Sequence, residues 1–379
     1  MQRLFVVLVA AWLCTMSLAL QAADAPDNGL PDSVPIAEEL LDTAISHCSR
    51  GELAQAQALF RAIKDQLNPP PAVRELITRL EQEECRARRS MVGRWDLRAL
   101  VGHDDNVSQG VRASSFSLGP TVARIELPVG ENYRPIASDF TDVTASHSWE
   151  LPRAATLQLK VNGRRYASAS DYDQSSINAL VKAPVQVLGR RVEVLGELAQ
   201  LWLGGSYYHT ALTTAVQAPL LIDAPQWGLA AVAQTVRYHT QPQQNADQFQ
   251  WGITRHLGAS QGPAAIVGFM RVWDNARGQR AGGNRAGWNL HVASEARFES
   301  WRLSGRVGLT QWATRQDFLS GLIDEKRRNT LVQAVVQAEY PLSPAQSLQL
   351  DVQLRDSRDT ISLYAYRSVS WGLSWNARF

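Results

Sequence analysis

The tightest cluster of acid–base side chains in this chain is His103, Asp104 and Asp105, in the run Gly102-His103-Asp104-Asp105-Asn106-Val107. An imidazole beside two carboxylates is the material of general acid–base catalysis, where one group takes a proton and another returns it. Such a site needs a second pair facing it, and His209, His239 and His256 are scattered without a fixed spacing. The same carboxylates are also of the type that holds Ca2+, but no loop motif of oxygen ligands stands behind them. Their plainer chemistry is local: Asp and Asn side chains hydrogen-bond to nearby backbone and end strands. No G-x-S-x-G, H-E-x-x-H, phosphate-binding loop or dinucleotide fingerprint occurs. The expectation is a chain that is not an enzyme, with no catalytic residue, cofactor or metal.

The second chemical constellation is cationic. Lys160, Arg164, Arg271, Arg302, Arg306 and Arg378, with Arg94, Arg98, Arg297 and Arg355, fall on the face expected to point inward. Asp96, Asp142, Glu150, Glu295 and Asp351 oppose them. Such a lining suits an anionic solute, an anionic polymer or a protein conduit; the structural alternative is an ion-pair lattice bracing a wall. Arg277, Arg280 and Arg285 fall in a Gly/Arg-rich stretch expected to be an outer loop, where lipopolysaccharide phosphates or plain solvent would meet them. Net charge is +2, and nothing in its distribution indicates nucleic acid.

The element that must position these groups is announced by the last stretch, Ser368 to Phe379 (SVSWGLSWNARF). Val369, Trp371, Leu373, Trp375, Ala377 and Phe379 share one face, and Ser368, Ser370, Gly372, Ser374, Asn376 and Arg378 the other. That is period two, a strand with one apolar and one polar face. At the edge of a water-exposed sheet it would be a Trp-studded pairing hazard. In a transmembrane barrel it closes the wall, with lipid on one face and lumen on the other. Ending on Phe379, it also has the form of a sorting signal read by barrel assembly machinery, with Trp371 and Trp375 beside it.

From Gly93 onward the same period recurs, giving about fourteen strand candidates. Tight turns, such as Glu299–Ser300 and Ser343–Gln346, alternate with mostly longer segments such as 104–139, 240–247, 275–285, 314–328 and 358–366. Short turns on one side and long loops on the other are the membrane-barrel pattern. The 12 Trp residues sort with it. Trp95, Trp149, Trp227, Trp301 and Trp375 fall at turn ends, and Trp202, Trp251, Trp273 and Trp288 towards loop ends, as two aromatic girdles. Strand pairing within 104–139 and 192–220 is not fixed by the pattern.

Ahead of the barrel, residues 1–22 read as a cleaved signal peptide: Arg3, an apolar core of about ten residues, then Leu20-Gln21-Ala22. Residues 23–35 read as a disordered linker, and 36–90 as a helical module. Ile36, Leu40, Leu41, Ala44 and Ile45 make one helix face. Leu53, Ala56, Leu59, Phe60 and Ile63 make a second, and Val73, Leu76, Ile77 and Leu80 a third. The run AISHCSRGELAQAQALFRAI resembles a tetratricopeptide repeat, with Ala56 and Phe60 facing the partner helix. The signal leaves Cys48 and Cys85, and an oxidising compartment makes a disulfide the default. Their offset of about one repeat places them at matching depths on neighbouring helices.

Two stretches resemble a known family. Gly102-His103-Asp104-Asp105-Asn106-Val107 is similar to the G-x-D-S-N-V segment that follows the first barrel strand of surface lipoprotein assembly modulators. Asp356 to Arg367 (DSRDTISLYAYR) resembles that family's S-N-x-x-L-Y-x-Y-x-R run before the closing strand. The matching positions are Asp104, Asp105, Asn106, Leu363, Tyr364, Tyr366 and Arg367. Asp105 stands where the motif has Ser, Asp359 where Asn is expected, and the helical part is short. The resemblance covers residues 36–379 and implies an outer-membrane barrel that moves proteins, often lipoproteins, to the cell surface.

The combined expectation is a mainly β chain. A fourteen-stranded antiparallel transmembrane barrel at 93–379 follows the helical module in the periplasm of a Gram-negative cell. It acts as a monomer among outer-membrane lipid and lipopolysaccharide, with a surface protein or lipoprotein as client. The alternative is a polysaccharide-export or general diffusion porin.

Overall fold

A computed structural model describes residues 33–49, 53–67, 69, 71–86, 93–119, 124–151, 154–187, 190–220, 226–258 and 264–379. The expected signal peptide, most of the linker and several tight turns (152–153, 188–189, 223–225 and 259–263) lie outside them.

The helical part comprises α1 (Ser33–Ser49), α2 (Leu53–Gln66) and α3 (Pro71–Arg86). Helix α1 starts inside the stretch expected to be linker. Pro35 permits this, because first-turn N–H groups have no intrahelical acceptor to lose. Ala44, Cys48, Ala56, Phe60, Ile63 and Ile77 form one buried cluster, with Ala56 and Phe60 at 0% exposure. The pairing expected for those two residues is therefore met. Helix α3 departs from expectation: Ile77 is buried, but Val73 and Leu76 are 43% and 52% exposed. Among the described residues, α3 packs on α1 and α2 and covers one edge of its apolar face. Cys48 is buried in the cluster, while the Cys85 side chain lies outside the described residues.

The strands are β1 (Gly93–Asp104), β2 (Ser115–Leu118), β3 (Ile125–Pro128), β4 (Ser138–Leu151), β5 (Ala155–Tyr166), β6 (Gln174–Val187), β7 (Arg190–Leu203) and β8 (Ser206–Pro219). They continue as β9 (Trp227–Tyr238), β10 (Ala246–Leu257), β11 (Ala264–Ala276), β12 (Arg285–Phe298), β13 (Trp301–Thr314), β14 (Arg328–Ser343), β15 (Gln346–Asp359) and β16 (Tyr366–Arg378). All but β2 and β3 form one closed antiparallel barrel of fourteen strands, in which β1 pairs with both β4 and β16. β2 and β3 form a small hairpin in the long β1–β4 connection. Each has four residues, too few for alternation to show in the sequence.

The wall follows the period-two reading. Val101, Val143, Val161, Leu212, Phe269 and Leu373 are among the large apolar residues it turns outward and leaves exposed, Val143 at 59%. The twelve-residue β9 matches the expected limits, Trp227 to Tyr238. One loop-end connection is short: Gly204 and Gly205, with φ of 54° and 79°, make the two-residue turn from β7 to β8. Both positions need the left-handed conformation that glycine adopts without strain.

Candidate functional site

The two motif stretches, far apart in sequence, meet at the seam where β1 closes on β16. Asp104 Oδ1 accepts the Asn106 N–H (2.9 Å) and the Ser368 hydroxyl (3.0 Å). Asp105 Oδ1 accepts the Val369 N–H (2.7 Å), while the Asp105 N–H donates to the Val369 carbonyl. Asn106 is 2% exposed. Its amide donates to the carbonyls of Gly110 (3.0 Å) and Arg367 (2.9 Å) and accepts the Gly110 N–H (2.7 Å). The group is a clasp joining the two ends of the barrel wall: its bonds within 104–110 are the strand-end capping expected, and those to Arg367, Ser368 and Val369 go beyond it. His103 is bonded elsewhere, with Nδ1 2.8 Å from Asp139 Oδ1 at an exposed position.

The other half of the motif holds a second clasp. Leu363 and Tyr364 lie in a 3-10 turn, Ser362–Tyr364, between β15 and β16. The Arg327 guanidinium lies 3.6 Å from the Tyr364 ring centroid and also faces Trp312 and Phe318. Its Nε donates to Asp359 (2.8 Å), which also accepts from Asn329 (3.1 Å). Asp359 therefore stands in for the expected Asn with a charge that Arg327 matches.

On the inward face, most cations are paired with neighbours in the wall. Arg98 meets Asp351 (2.6 Å), Arg164 meets Asp142 (3.0 Å), and Arg302 meets Glu295 (2.7 Å) and Glu339 (3.7 Å). Arg378 and Arg94 share Asp96. Apart from Arg94–Asp96, which lies within β1, these bridges run along the circumference, joining strands one or two apart. Lys160 and Arg306 meet no carboxylate within 4.0 Å among the described residues. At the turn end the lumen keeps a cavity of about 430 Å3, lined by Asp96, Arg98, Glu295, Arg302, Glu339 and Arg378. A second, of about 470 Å3, lies beside Arg306 and Gln337.

Arg271 corrects the inward list. It shares the parity of Phe269 and Trp273, and its cross-strand partners are Trp251 and Trp288. Phe269 and Trp251 are 47% and 48% exposed on the outer wall, so Arg271 points outward with them. Its charge suggested the lumen; the alternation of its own strand decides otherwise. In the Gly/Arg-rich loop, Arg280 and Arg285 turn inward onto Asp274, with Arg280 buried, and only Arg277 stays outside.

Reasoning from sequence missed the apolar inner cluster near the loop end. Leu100, Phe140, Tyr166 and Ala169 pack there with Val107, Ile136 and Tyr172. The available signal was Leu100 itself, an apolar residue on the polar face of β1. Gly102 and Gly372 lie opposite each other beneath it. A Cβ on Gly102 would stand 2.3 Å from the Trp371 carbonyl oxygen and 2.8 Å from the Phe140 ring. Trp371 and Trp375 are exposed on the outer wall, as expected for the closing strand. Phe379 pairs its backbone with Trp95, its N–H donating to Trp95 O (2.9 Å) and its carbonyl accepting in return (3.1 Å).

No family model matches the chain, and no curated protein matches it. Among solved structures it is similar to a bacterial polysaccharide outer membrane secretin, at 7% identity and a TM-score of 0.39 over 75% of this chain and 98% of that one. An anion-selective porin from Comamonas acidovorans gives 8%, 0.37, 76% and 99%. An outer membrane channel from Pseudomonas putida F1 gives 11%, 0.35, 76% and 96%. The overlap is loose at these values and carries neither solute nor cargo to this chain.

Proposed function

We propose that this chain is an outer-membrane barrel that moves or assembles proteins, lipoproteins among them, at the cell surface, with its helical module in the periplasm. The observation that carries the membrane part is the closed wall itself, apolar outside and charged inside. Exposed Val, Leu, Phe and Trp on fourteen strands would be insoluble in water and are matched to lipid. Two features support a protein cargo. The motif stretches shared with surface lipoprotein assembly modulators are brought together at the β1–β16 seam. The helical module, a tetratricopeptide-like unit in this reading, leaves Leu67, Val73 and Leu76 exposed for a client. Protease shaving and mass spectrometry of intact cells, deletion strain against parent, tests it. Loss of one or a few surface proteins at unchanged total amount supports the reading; an unchanged surface proteome removes it.

A second reading, a channel preferring anions, is favoured by Lys160 and Arg306, which face the lumen without a carboxylate partner among the described residues. Its test is single-channel conductance in planar bilayers. A steady open channel with anion selectivity supports it, and absence of conductance in folded protein rejects it.

A further inference from the structure

We propose that the outer wall around Arg271 binds the phosphate of a phosphorylated glycolipid in the outer leaflet. This rests on the outer-membrane reading above. Arg271 is exposed on the outward face of β11 and meets no carboxylate among the described residues. An unpaired cation facing lipid is costly unless an anion or water reaches it, and the cost falls towards the interface. Trp251 and Trp288 flank Arg271 on the neighbouring strands. Trp marks the interface between hydrocarbon and headgroups. Its guanidinium also lies 5.8 Å from the centroid of the Trp273 ring, two residues nearer the loop end. A long side chain leaning along an aromatic face towards the headgroups is the posture of a snorkelling cation. The planar fork of donors then matches phosphate oxygens.

The rim above continues the same charge. Arg237 and Arg277 both hold Asp247, Arg237 at 3.1 Å. Two cations on one carboxylate leave one positive charge in excess beside the headgroup layer. The loop end selects the leaflet. The long connections lie there, and the helical module precedes β1 at the opposite, turn end. The occupant is therefore a phosphate-bearing glycolipid of the outer leaflet and not an inner-leaflet phospholipid.

The test uses the full chain purified from outer membranes, with native mass spectrometry and titration by three lipids: lipopolysaccharide, the same glycolipid enzymatically dephosphorylated, and phosphatidylglycerol. Folded barrel is scored separately by its heat-dependent gel migration. Wild type is expected to bind lipopolysaccharide at least about tenfold more tightly than the dephosphorylated form or phosphatidylglycerol, a gap of about 1.4 kcal/mol. R271Q is expected to lose that preference, and R271K to recover part of it because charge returns without the fork. Equal affinity in folded wild type and folded R271Q overturns the proposal. Equal affinity for phosphatidylglycerol and lipopolysaccharide overturns the assignment to the glycolipid. Should R271Q not fold, R237Q/R277Q is measured instead, and unchanged lipopolysaccharide affinity there also counts against the site. Failure of the wild-type protein to insert into phosphatidylcholine vesicles would instead remove the outer-membrane reading itself, a result separate from any of these.

Discussion

At the scale of single residues, Asn106 is the most buried side chain of the clasp at the seam. Its amide both donates to and accepts from Gly110 and reaches the Arg367 carbonyl, all with the side chain almost completely buried. Asn106→Ala would leave the Gly110 N–H and two carbonyls without these partners, a loss of roughly 1–3 kcal/mol by the cost of a buried unsatisfied group. The expected outcome is a lower unfolding midpoint in the gel-shift assay, with more frequent cleavage in the 105–114 loop. Asp173 gives a pH-dependent case in the loop after β5. The Tyr166 N–H that it accepts at 2.8 Å holds its carboxyl below the ordinary aspartate value; partial burial opposes this, and the Arg165 guanidinium adds to the lowering. A depressed folded-state pKa means the contribution is full above the unfolded value of about 3.9 and is lost as pH falls through the folded one. Amide exchange at Tyr166 should therefore quicken, relative to an Asp173→Ala control, as pH falls from above the ordinary aspartate value of about 3.9 to below the depressed folded one. Unchanged relative exchange would show that the bond does not constrain the loop.

At the scale of elements, the wall makes a claim about its solvent. Leu373 and Val101 face each other across the seam and are 48% and 58% exposed. In lipid, Leu373→Arg would cost about 2–4 kcal/mol near the midplane. On the surface of a water-soluble barrel, the same exposed change would stay within about 0.5 kcal/mol. Urea titration of the folded barrel in vesicles separates the two. The strands themselves were legible because alternation over a dozen residues leaves no competing period, as in Val369 to Phe379. What was not legible needed register. Arg302 finds Glu295 and Glu339 only once β12, β13 and β14 are aligned. Arg271 misleads for a different reason: its charge argues for the lumen, and only the parity shared with Phe269 and Trp273 shows otherwise. The clasp was half legible. The Asp-Asp-Asn run announced a strand end, but nothing in the sequence tied it to Ser368 and Val369 across the closing seam.

At the scale of the molecule, the inward charges divide into those that hold the wall and those that, on the proposed reading, a solute or cargo would meet. Arg98, Arg164 and Arg302 are committed to carboxylates at 2.6 to 3.0 Å, so their removal is felt first as instability. Lys160 and Arg306 have no such partner among the described residues, and Arg306 borders the cavity beside Gln337. A field in a narrow polar lumen is set by the uncompensated charges, since paired ones cancel beyond a few ångströms. Lys160→Gln with Arg306→Gln should therefore leave folding unchanged while lowering the preference of any conductance for anions, read as a shift of the reversal potential in a salt gradient. Arg302→Gln should do the reverse, lowering the unfolding midpoint with a smaller effect on selectivity, because it frees Glu295 and Glu339 to repel each other. If the paired and unpaired sets moved selectivity equally, the ion pairs would not be holding their charges out of the lumen, and the separation between wall and passage would be lost.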